Sequence, residues 1–452
     1  MKNIANWFND KIKGGNKILI TIFVLGIIIR VFYLSYTPYD TRTHDVVGGH
    51  IDYIKHLIQN KSLPLSTDCW ECFQPPTYYI ISSTVYWLAQ SAGTDNPYFY
   101  LQLLSLLFFL IFIFFGIKTI SSLNIERNTT RIIALLITFW PSGIIHSVRI
   151  GNDSLLYALY ATGFYCLIKW VQKENKKWFY LSLLFSVLSM LVKSNGFMLV
   201  SVVATVFIYK WLISLKQNKA YFPYLKNGLI FLIVLIVGFS LAVYVPIANY
   251  KNNDSKSKDF VIGNIHALNG ALLVSNRPEN YLKFDVKTFI NKPFMNPWSD
   301  ETGRQYYWNY LLKSSLFGEF DFGKNKNIIV TAKLTSSLFL IIAGYFFIIL
   351  SLALSRKKTT IRNMPGVLFA VFAGIIIPLL ILTATRIKHP YSSQADFRYI
   401  FPVMIPIAFL CALGLEYLKN NRLNLLKHFG YVLSALFAIL IILFFILSYI
   451  YG

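Results

Sequence analysis

Acidic and basic side chains recur at the borders of long apolar segments, where they could carry chemistry at a membrane surface. Three carboxylates stand at such borders: Asp45, Asp153 and Asp396. The cations near such borders are Arg149, Lys193, Arg386 and Arg398. A carboxylate can take the proton of an acceptor hydroxyl, and Lys or Arg can hold a phosphate, Arg through two parallel hydrogen bonds. These residue types indicate either transfer of a group from a lipid phosphate or a proton-coupled carrier.

Asp45 precedes a segment that has the spacing of an amphipathic helix. Its apolar residues recur at helical intervals: Ile51, Ile54, Leu57 and Ile58. Such a helix would lie on the membrane, with Asp45 near its N-terminus, where partial positive charge stabilises a carboxylate. Asp45 is therefore either a general base held at the membrane surface or an ordinary helix cap or solvated loop acid.

Cys69 and Cys72 form a single C-x-x-C motif in the same segment. One such pair without a second is weak support for zinc, so a disulfide or two plain thiols are the alternatives. Three histidines could join Asp45 in a metal site: His44, His50 and His56. Because interfacial histidines are commoner than metal ligands, we predict no metal ligands. The sequence identifies no cofactor, and we expect no strict requirement for a divalent metal.

The chain that positions these side chains has the composition of a membrane protein. Of its 452 residues, 55% are hydrophobic and 14% are charged, against about 25% charged in soluble domains. Its mean hydropathy is +0.52. This composition excludes a soluble globular, a disordered or a collagen-like protein. We predict a bundle of about eleven spans, at roughly 18–36, 98–117, 132–148, 154–171, 178–192, 196–213, 227–248, 328–354, 365–385, 399–417 and 429–451.

Loop charges predict the orientation of the bundle. The basic segment 1–17 places the N-terminus in the cytoplasm. The apolar stretch 75–92 is short and polar for a span, and spanning would turn the basic clusters at 173–177 and 356–358 outward. We therefore predict that it lies in the interface. Most of the net charge of +23 then faces the cytoplasm, where it fixes orientation, and no nucleic-acid partner is expected.

Two long segments then face outward and divide the chain. We expect an N-terminal catalytic module over 1–248 with a first external loop at 37–97, a large external loop at 249–327, and C-terminal helices over 328–452. If the resemblance described below holds, the large loop would roof an acceptor cleft. Its aromatic stretches, at 297–298 and 306–308, would then either stack on sugar rings or belong to an interfacial aromatic belt. Arg30, inside the first span, is expected to pair with one of the carboxylates.

The motifs follow one another in a familiar order. An acid follows the first span, an amphipathic helix comes next, and the chain continues with these motifs: Trp70-Glu71, Pro75-Pro76-Thr77-Tyr78-Tyr79 and Arg149-x-x-x-Asp153. This order resembles the GT-C glycosyltransferases, especially their protein O-mannosyltransferase and aminoarabinose transferase branch. The resemblance is strongest over 30–200, with weaker support from 311–320 and 396–399.

The resemblance implies an all-α polytopic membrane protein, a GT-C-like bundle with two juxtamembrane helices in the first external loop. By position, Asp45 matches the catalytic base and Asp153 the second acid. Lys193 and Arg398 match positions near the donor phosphate, and we predict that Arg149 and Arg386 join them. We expect the following residues to contact substrate: His44, His50, Glu71, Gln74, Glu319 and Tyr399.

The implied function is transfer of a sugar from a polyprenyl-phosphate donor to a lipid, glycan or protein acceptor, with inversion of the anomeric carbon. It would occur on the extracytoplasmic face of the plasma membrane. Two departures leave the sugar and the metal open: His44-Asp45 replaces the usual Asp-Glu pair, and Gln74 stands where relatives often have His or Lys. The alternatives are a transporter or flippase of a lipid-linked sugar, which would need charged or broken helices near the bilayer midplane, and a ligase or polymerase of surface polysaccharide.

Overall fold

The computed structural model describes residues 17–41, 45–65, 68–123, 125–216, 228–242, 270–355 and 364–451. Within these ranges the regular secondary structure is helical, apart from one isolated antiparallel bridge between Leu273 and Tyr391. The predicted all-α polytopic class is confirmed.

Eight helical segments of the described chain are long and apolar enough to cross a membrane. They are Lys17–Ser35, Pro97–Ser121, Asp153–Lys173, Ser194–Lys216, Lys326–Ser355, Pro365–Lys388, Ser392–Asn420 and Asn424–Tyr451. Each corresponds to one of the predicted spans. A residue rises about 1.5 Å in a helix, so about 20 residues cross the hydrocarbon core.

The three remaining predicted spans are shorter helices. The segment at 178–192 is the 17-residue helix Lys176–Val192, and the described part of 227–248 is Gly228–Ala242. The segment at 132–148 consists of two helices, Arg127–Thr138 and Pro141–Ser147. The number of eleven spans therefore stays a prediction.

The break between those two helices has a local cause. Trp140 has extended backbone angles, because the residue before a proline is disfavoured in the helical region. Its indole N–H donates to the Ser315 carbonyl at 2.6 Å, and the Ser142 hydroxyl donates to the same oxygen at 2.6 Å. The break is thus held by the segment that leads to Glu319.

The first loop contains two helices, Ile51–Asn60 and Thr77–Ser91. The second has 15 residues, about 22 Å at the helical rise, and is too short to cross a bilayer core of about 30 Å. Tyr53 and Tyr79 stack between the two helices with ring centroids 3.7 Å apart. The predicted pair of juxtamembrane helices is present.

The helix Asp153–Lys173 is the most deeply buried of the long helices. It packs closely on Lys176–Val192, where the Ser182 hydroxyl donates to the Gly163 carbonyl at 3.0 Å. A Cβ at Gly163 would lie 2.7 Å from Leu199. Small residues allow this approach, which drives helix association in lipid.

Arg30 does not pair with a carboxylate among the described residues, so that prediction was wrong. Its guanidinium is fully buried and donates to the carbonyls of Gly26 and Thr138 at 2.9 and 2.8 Å. It also lies 5.1 Å from the centre of the Phe109 ring. The first helix turns Arg30 toward the end of Arg127–Thr138, where unpaired backbone carbonyls are available.

The described part of the large loop, from Gly270 onward, folds into short helices at Pro278–Leu282, Val286–Asn291 and Tyr307–Phe317. Shorter turns occur at Val46–His50, Gly270–Leu272, Asp300–Thr302, Ser392–Ala395 and Phe397–Val403. The domain boundaries predicted at 248/249 and 327/328 stay a prediction.

Candidate active site

Asp45 is a buried carboxylate held between two arginines. Its Oδ2 accepts from Arg398 Nη1 at 2.9 Å, and its Oδ1 accepts from Arg149 Nη2. Burial alone would raise the pKa of Asp45, but the charges of Arg149 and Arg398 hold it well below the usual range. Asp45 is therefore an ionised carboxylate whose charge is balanced.

Arg398 joins Asp45 to a second acid. Its Nε lies 3.0 Å from Asp396 Oδ2, and its backbone N–H donates to Asp396 Oδ1 at 3.0 Å. Asp396 caps the turn Phe397–Val403, which aims Arg398 into the site. The Tyr157 hydroxyl donates to the Arg398 carbonyl at 2.6 Å and fixes this turn on the buried central helix.

Backbone geometry aims Asp45 and His50 inward. Asp45 precedes the turn Val46–His50, in which Gly48 has φ +80°, a conformation that favours glycine. The His50 N–H donates to the Asp45 carbonyl at 3.0 Å. A Cβ at Gly151 would lie 3.2 Å from His50 Nε2, so the imidazole can lie against the loop that carries Arg149.

A second ion pair lies beside the first. Lys193 Nζ donates to Asp153 Oδ1 at 2.6 Å, and both residues are buried. Asp153 begins its helix, and Lys193 has an extended backbone where the helix Lys176–Val192 ends. The Tyr399 ring joins the two pairs, with Lys193 Nζ 5.5 Å and Arg398 Cζ 5.1 Å from its centroid.

The loop containing Glu71 closes the site on the Asp45 side. A disulfide joins Cys69 to Cys72, which decides the alternatives that the sequence left open. The Trp70 N–H donates to the Gly48 carbonyl at 3.0 Å. Glu71 is buried and accepts from Gln74 Nε2 at 3.0 Å.

Burial sets the protonation of two neighbours of Asp45. Burial and the charge of Asp45 raise the pKa of Glu71 to about 8, so its carboxyl is largely protonated at neutral pH. Burial lowers the pKa of His50 to about 4, although Asp45 opposes this, so the imidazole is neutral. His50 Nδ1 forms a hydrogen bond of 2.9 Å with the Tyr79 hydroxyl.

Asp45, His50 and Glu71 are a possible ligand set for a divalent metal. One donor atom from each lies within 4.8 Å of the others, and imidazole and carboxylates are suitable ligands. Tyr79 and Gln74 would orient two of the ligands. However, both oxygens of Asp45 already accept from arginines, so the carboxylate needs no metal for its charge. That a metal is not strictly required stays a prediction.

Glu319 reaches the site from the large loop. It follows Gly318, which has φ +66°, and accepts a hydrogen bond from the Tyr310 hydroxyl. Burial raises the pKa of Glu319, while Arg398 opposes the shift. The carboxyl is thus close enough to the arginine to interact with it.

The structure brings most of the predicted residues together, in one cluster that we call the Asp45 cluster. Its members are Asp45, His50, Glu71, Gln74, Arg149, Asp153, Lys193, Glu319, Asp396, Arg398 and Tyr399. Arg386 makes no ion pair with this cluster; it lies among tyrosines of the large loop. His44 lies outside the described residues.

Sequence reasoning missed His146, Tyr79 and Tyr310. His146 is buried, and its Nε2 has no hydrogen-bond partner among the described residues. Its electrostatic neighbours include Arg149 and Asp45. The sequence signal that could have identified His146 was its position three residues before Arg149, about one helical turn away. Tyr79 stands in the motif Pro75-Pro76-Thr77-Tyr78-Tyr79, from which no role was predicted for it, and Tyr310 gave no signal, because tyrosines are common throughout this chain.

Comparisons with known proteins bear on the fold and the family. No curated protein matches the sequence. The structure resembles the oligosaccharyltransferase AglB from Archaeoglobus fulgidus in complex with an inhibitory peptide and a dolichol-phosphate, with TM-score 0.43 and 13% identity over 95% of this chain and 55% of AglB. The chain thus spans about half the length of that enzyme. It also resembles ArnT from Cupriavidus metallidurans bound to undecaprenyl phosphate, with TM-score 0.40 and 11% identity over 88% of this chain and 77% of ArnT.

The sequence itself identifies the family of this chain. Residues 21–251 match the model of the dolichyl-phosphate-mannose-protein mannosyltransferases. This match covers half of the chain, including Asp45, Arg149, Asp153 and Lys193. The chain therefore belongs to the dolichyl-phosphate-mannose-protein mannosyltransferase family, which consists of membrane glycosyltransferases of the GT-C type.

Proposed function

We propose that the protein transfers a sugar from a polyprenyl-phosphate donor to a hydroxyl of a lipid, glycan or protein acceptor. The observation that carries this proposal is the buried pairing of Asp45 with Arg149 and Arg398 in a chain of this family. A buried carboxylate beside several cations provides a proton acceptor and a phosphate site in one place.

The reaction is a single displacement with inversion. The acceptor oxygen attacks the anomeric carbon, and the bond from that carbon to the phosphate oxygen breaks. Polyprenyl phosphate leaves with the bonding electron pair, and Asp45 takes the acceptor proton. Arg398, Arg149 and Lys193 stabilise the negative charge that develops on the leaving phosphate.

The ion pairs connect donor binding to the basicity of Asp45. With both arginines on its oxygens, Asp45 is a weak base, since they hold its pKa low. A donor phosphate that engages the same guanidinium groups would weaken these pairs. The pKa of Asp45 would then rise toward the value that burial favours, which makes it a better proton acceptor.

Asp153 holds Lys193 and has the role of the second acid. His50, Glu71, Gln74, Glu319 and Tyr399 line the space around the two ion pairs, where donor and acceptor hydroxyls would bind. His44 precedes Asp45 and is proposed as a further contact. Arg386, predicted to contact the donor phosphate, lies beyond Tyr310.

We place the reaction on the extracytoplasmic face of the plasma membrane, with the N-terminus in the cytoplasm. The basic N-terminal segment supports this orientation. The Cys69–Cys72 disulfide supports it independently, because disulfides persist outside the reducing cytosol. An accessibility assay on intact cells, with single cysteines introduced at Lys61 and Lys173, tests it: Lys61→Cys is expected to react with an impermeant reagent and Lys173→Cys is not.

The function is tested with purified protein in lipid nanodiscs and a panel of polyprenyl-phosphate sugars. We expect release of polyprenyl phosphate with at least one donor when an acceptor is present, with and without a chelator. If no donor releases polyprenyl phosphate with or without a divalent metal, the proposal is wrong and a carrier of lipid-linked sugars becomes the better interpretation.

A further inference from the structure

Arg386 is a buried cation, and two of its nitrogens have no hydrogen-bond partner among the described residues. It lies in the last turn of Pro365–Lys388, and its side chain is among the largest fully buried ones, with 1% of its surface exposed. Its Nε and Nη1 have no hydrogen-bond partner, and no carboxylate lies within 4.0 Å, among the residues that the structure describes. Burying an unpaired guanidinium is strongly destabilising. Its presence at this depth therefore points to a partner other than the residues that the structure describes.

Aromatic side chains form the walls around this guanidinium. Its Cζ lies 6.0 Å from the centre of the Tyr281 ring, and that ring lies 6.0 Å from the ring of Tyr307. The Thr383 hydroxyl, one turn before Arg386, donates to the Tyr307 hydroxyl at 3.1 Å. Asn276 accepts from the Tyr281 hydroxyl at 2.5 Å and donates to the Ile387 carbonyl at 2.8 Å. The walls are therefore fixed to the same helix end that carries Arg386.

The described part of the large loop contains two more buried basic side chains, and one of them, Arg304, lies near Arg386. Arg304 is near enough to repel Arg386 electrostatically, and its Nε donates to Asp300, whose side chain is largely exposed. Lys313 is fully buried, and its Nζ donates to the Thr302 carbonyl at 2.6 Å. Burial lowers the pKa of Lys313 to about 7. The strongest electrostatic neighbours of Arg386 are tyrosines and Arg304, with no carboxylate among them, so the position of Arg386 favours an anion.

Tyr310 connects this region to the Asp45 cluster. It interacts electrostatically with Arg386, and its hydroxyl donates to Glu319. Glu319 in turn interacts with Arg398. A group bound at Arg386 would thus be connected to the Asp45 cluster through Tyr310 and Glu319. The donor phosphate already has cations of its own in Arg149, Arg398 and Lys193.

We propose that Arg386, with Tyr281 and Tyr307, forms a second oxyanion subsite, which takes a phosphate or carboxylate group carried by the acceptor. The assignment of this subsite to the acceptor rests on the proposed function. The assignment of an oxyanion to it rests only on the geometry around Arg386. It defines the acceptor class as an anionic molecule with a hydroxyl that reaches Asp45. Tyr281 covers the guanidinium and must move aside when the anion binds.

The test uses the full chain in nanodiscs, without any sugar donor, so that it does not depend on transfer. Undecaprenyl phosphate is first added to saturation to fill the donor site. Inorganic phosphate is then titrated against chloride at constant ionic strength, and thermal unfolding is followed. We compare the wild type, Arg386→Gln and Lys388→Gln, which removes an exposed cation from the same turn.

We expect phosphate to raise the melting temperature of the wild type and of Lys388→Gln in a saturable way. In Arg386→Gln the phosphate concentration at half effect should rise at least about tenfold, as for loss of a charge-assisted contact. Without phosphate, Arg386→Gln should be as stable as the wild type or more so, since it removes an unpaired buried charge.

Three results would overturn the proposal. They are an unchanged phosphate dependence in Arg386→Gln, a lower melting temperature of that variant without phosphate, and loss of the wild-type response once undecaprenyl phosphate is bound. The first shows that Arg386 does not bind the anion, the second that its role is structural, and the third that its ligand is the donor lipid. A protein that keeps the phosphate response but transfers no sugar would contradict the proposed function alone.

Discussion

Two groups of buried cations lie on either side of Tyr310 and differ in how their charge is balanced. In the Asp45 cluster, Arg149, Arg398 and Lys193 each pair with a carboxylate. Among the described buried cations around Arg386, only Arg304 has a carboxylate partner, the largely exposed Asp300, whereas Arg386 lies against aromatic rings and Lys313 donates to a carbonyl. A balanced cluster is stable without substrate, and in the proposed function its cations exchange partners when a donor phosphate binds. The guanidinium of Arg386 has no carboxylate partner among the described residues, and an anionic ligand can supply the missing negative charge.

The largest effect should come from removing Asp45, the proposed proton acceptor of the balanced cluster. Asp45→Asn is expected to lower the transfer rate by about 10²- to 10⁴-fold, as for loss of a general base, when release of polyprenyl phosphate is measured. Asp52→Asn is the matched control, since Asp52 is an exposed carboxylate seven residues later. Equal rates for Asp45→Asn and the control would remove Asp45 from the mechanism.

The next prediction compares how loss of one arginine from each group changes the stability of the fold. Arg398→Gln leaves Asp45 and Asp396 without a shared partner, which we expect to lower the free energy of unfolding by about 3 kcal/mol or more. Arg386→Gln should not lower the free energy of unfolding. Thermal unfolding of the two variants side by side, without ligands, checks this. If both variants lost the same stability, the contrast between balanced and unbalanced charge would be wrong.

A pH-dependent effect follows from Glu71. The folded protein keeps the Glu71 proton up to a pKa of about 8, whereas the unfolded chain releases it near 4.5. Between these values the folded state holds more protons, so stability falls as pH rises, by at most about 1.4 kcal/mol per pH unit. Glu71→Gln should flatten this decline when melting is measured from pH 5 to 8.5. A decline that is unchanged in Glu71→Gln would exclude Glu71 as its source.

The smallest effect concerns the loop that carries Glu71. Reducing the Cys69–Cys72 disulfide frees a ring of four residues and should lower the free energy of unfolding by about 2 kcal/mol. Transfer should fall with it, because Glu71 then leaves its position beside Asp45. The variant Cys69→Ser/Cys72→Ser should not respond to reductant, whereas Cys166→Ala/Cys411→Ala, which lacks the free thiols, should respond like the wild type.

Some parts of this architecture could be predicted from the sequence, and others could not. Hydropathy locates the long helices, and helical spacing after Asp45 locates the first juxtamembrane helix, because both signals are local. The break at Trp140 was also readable, since Pro141 follows it, although hydropathy alone made one span of 132–148. Periodicity is weakest where a helix is apolar on all sides, so it does not say which neighbour a side chain faces.

Rotation of helices explains why the prediction for Arg30 was wrong and why the surroundings of Arg386 could not be predicted. Arg30 and Arg386 are both arginines in apolar helices, and one binds backbone carbonyls while the other lies among tyrosines. The disulfide was undecidable from spacing, because C-x-x-C also suits two thiols or a metal. Tyr310 contributes by donating a hydrogen bond to Glu319, beyond the end of its own helix, and Tyr79 by stacking on Tyr53 of another helix. Composition cannot reveal such contacts.

The pairing of Asp45 with Arg398 joins residues that are 353 positions apart. Chains are synthesised from the N-terminus, so Asp45 reaches the membrane long before its second arginine exists. During that interval Arg149 is the nearer partner in sequence, 104 positions later. The proposed reaction centre is thus completed only after the turn Phe397–Val403 is in place. A chain that stops within the large loop could insert its first helices and still be unable to form the centre, so catalytic competence reports the completion of membrane assembly.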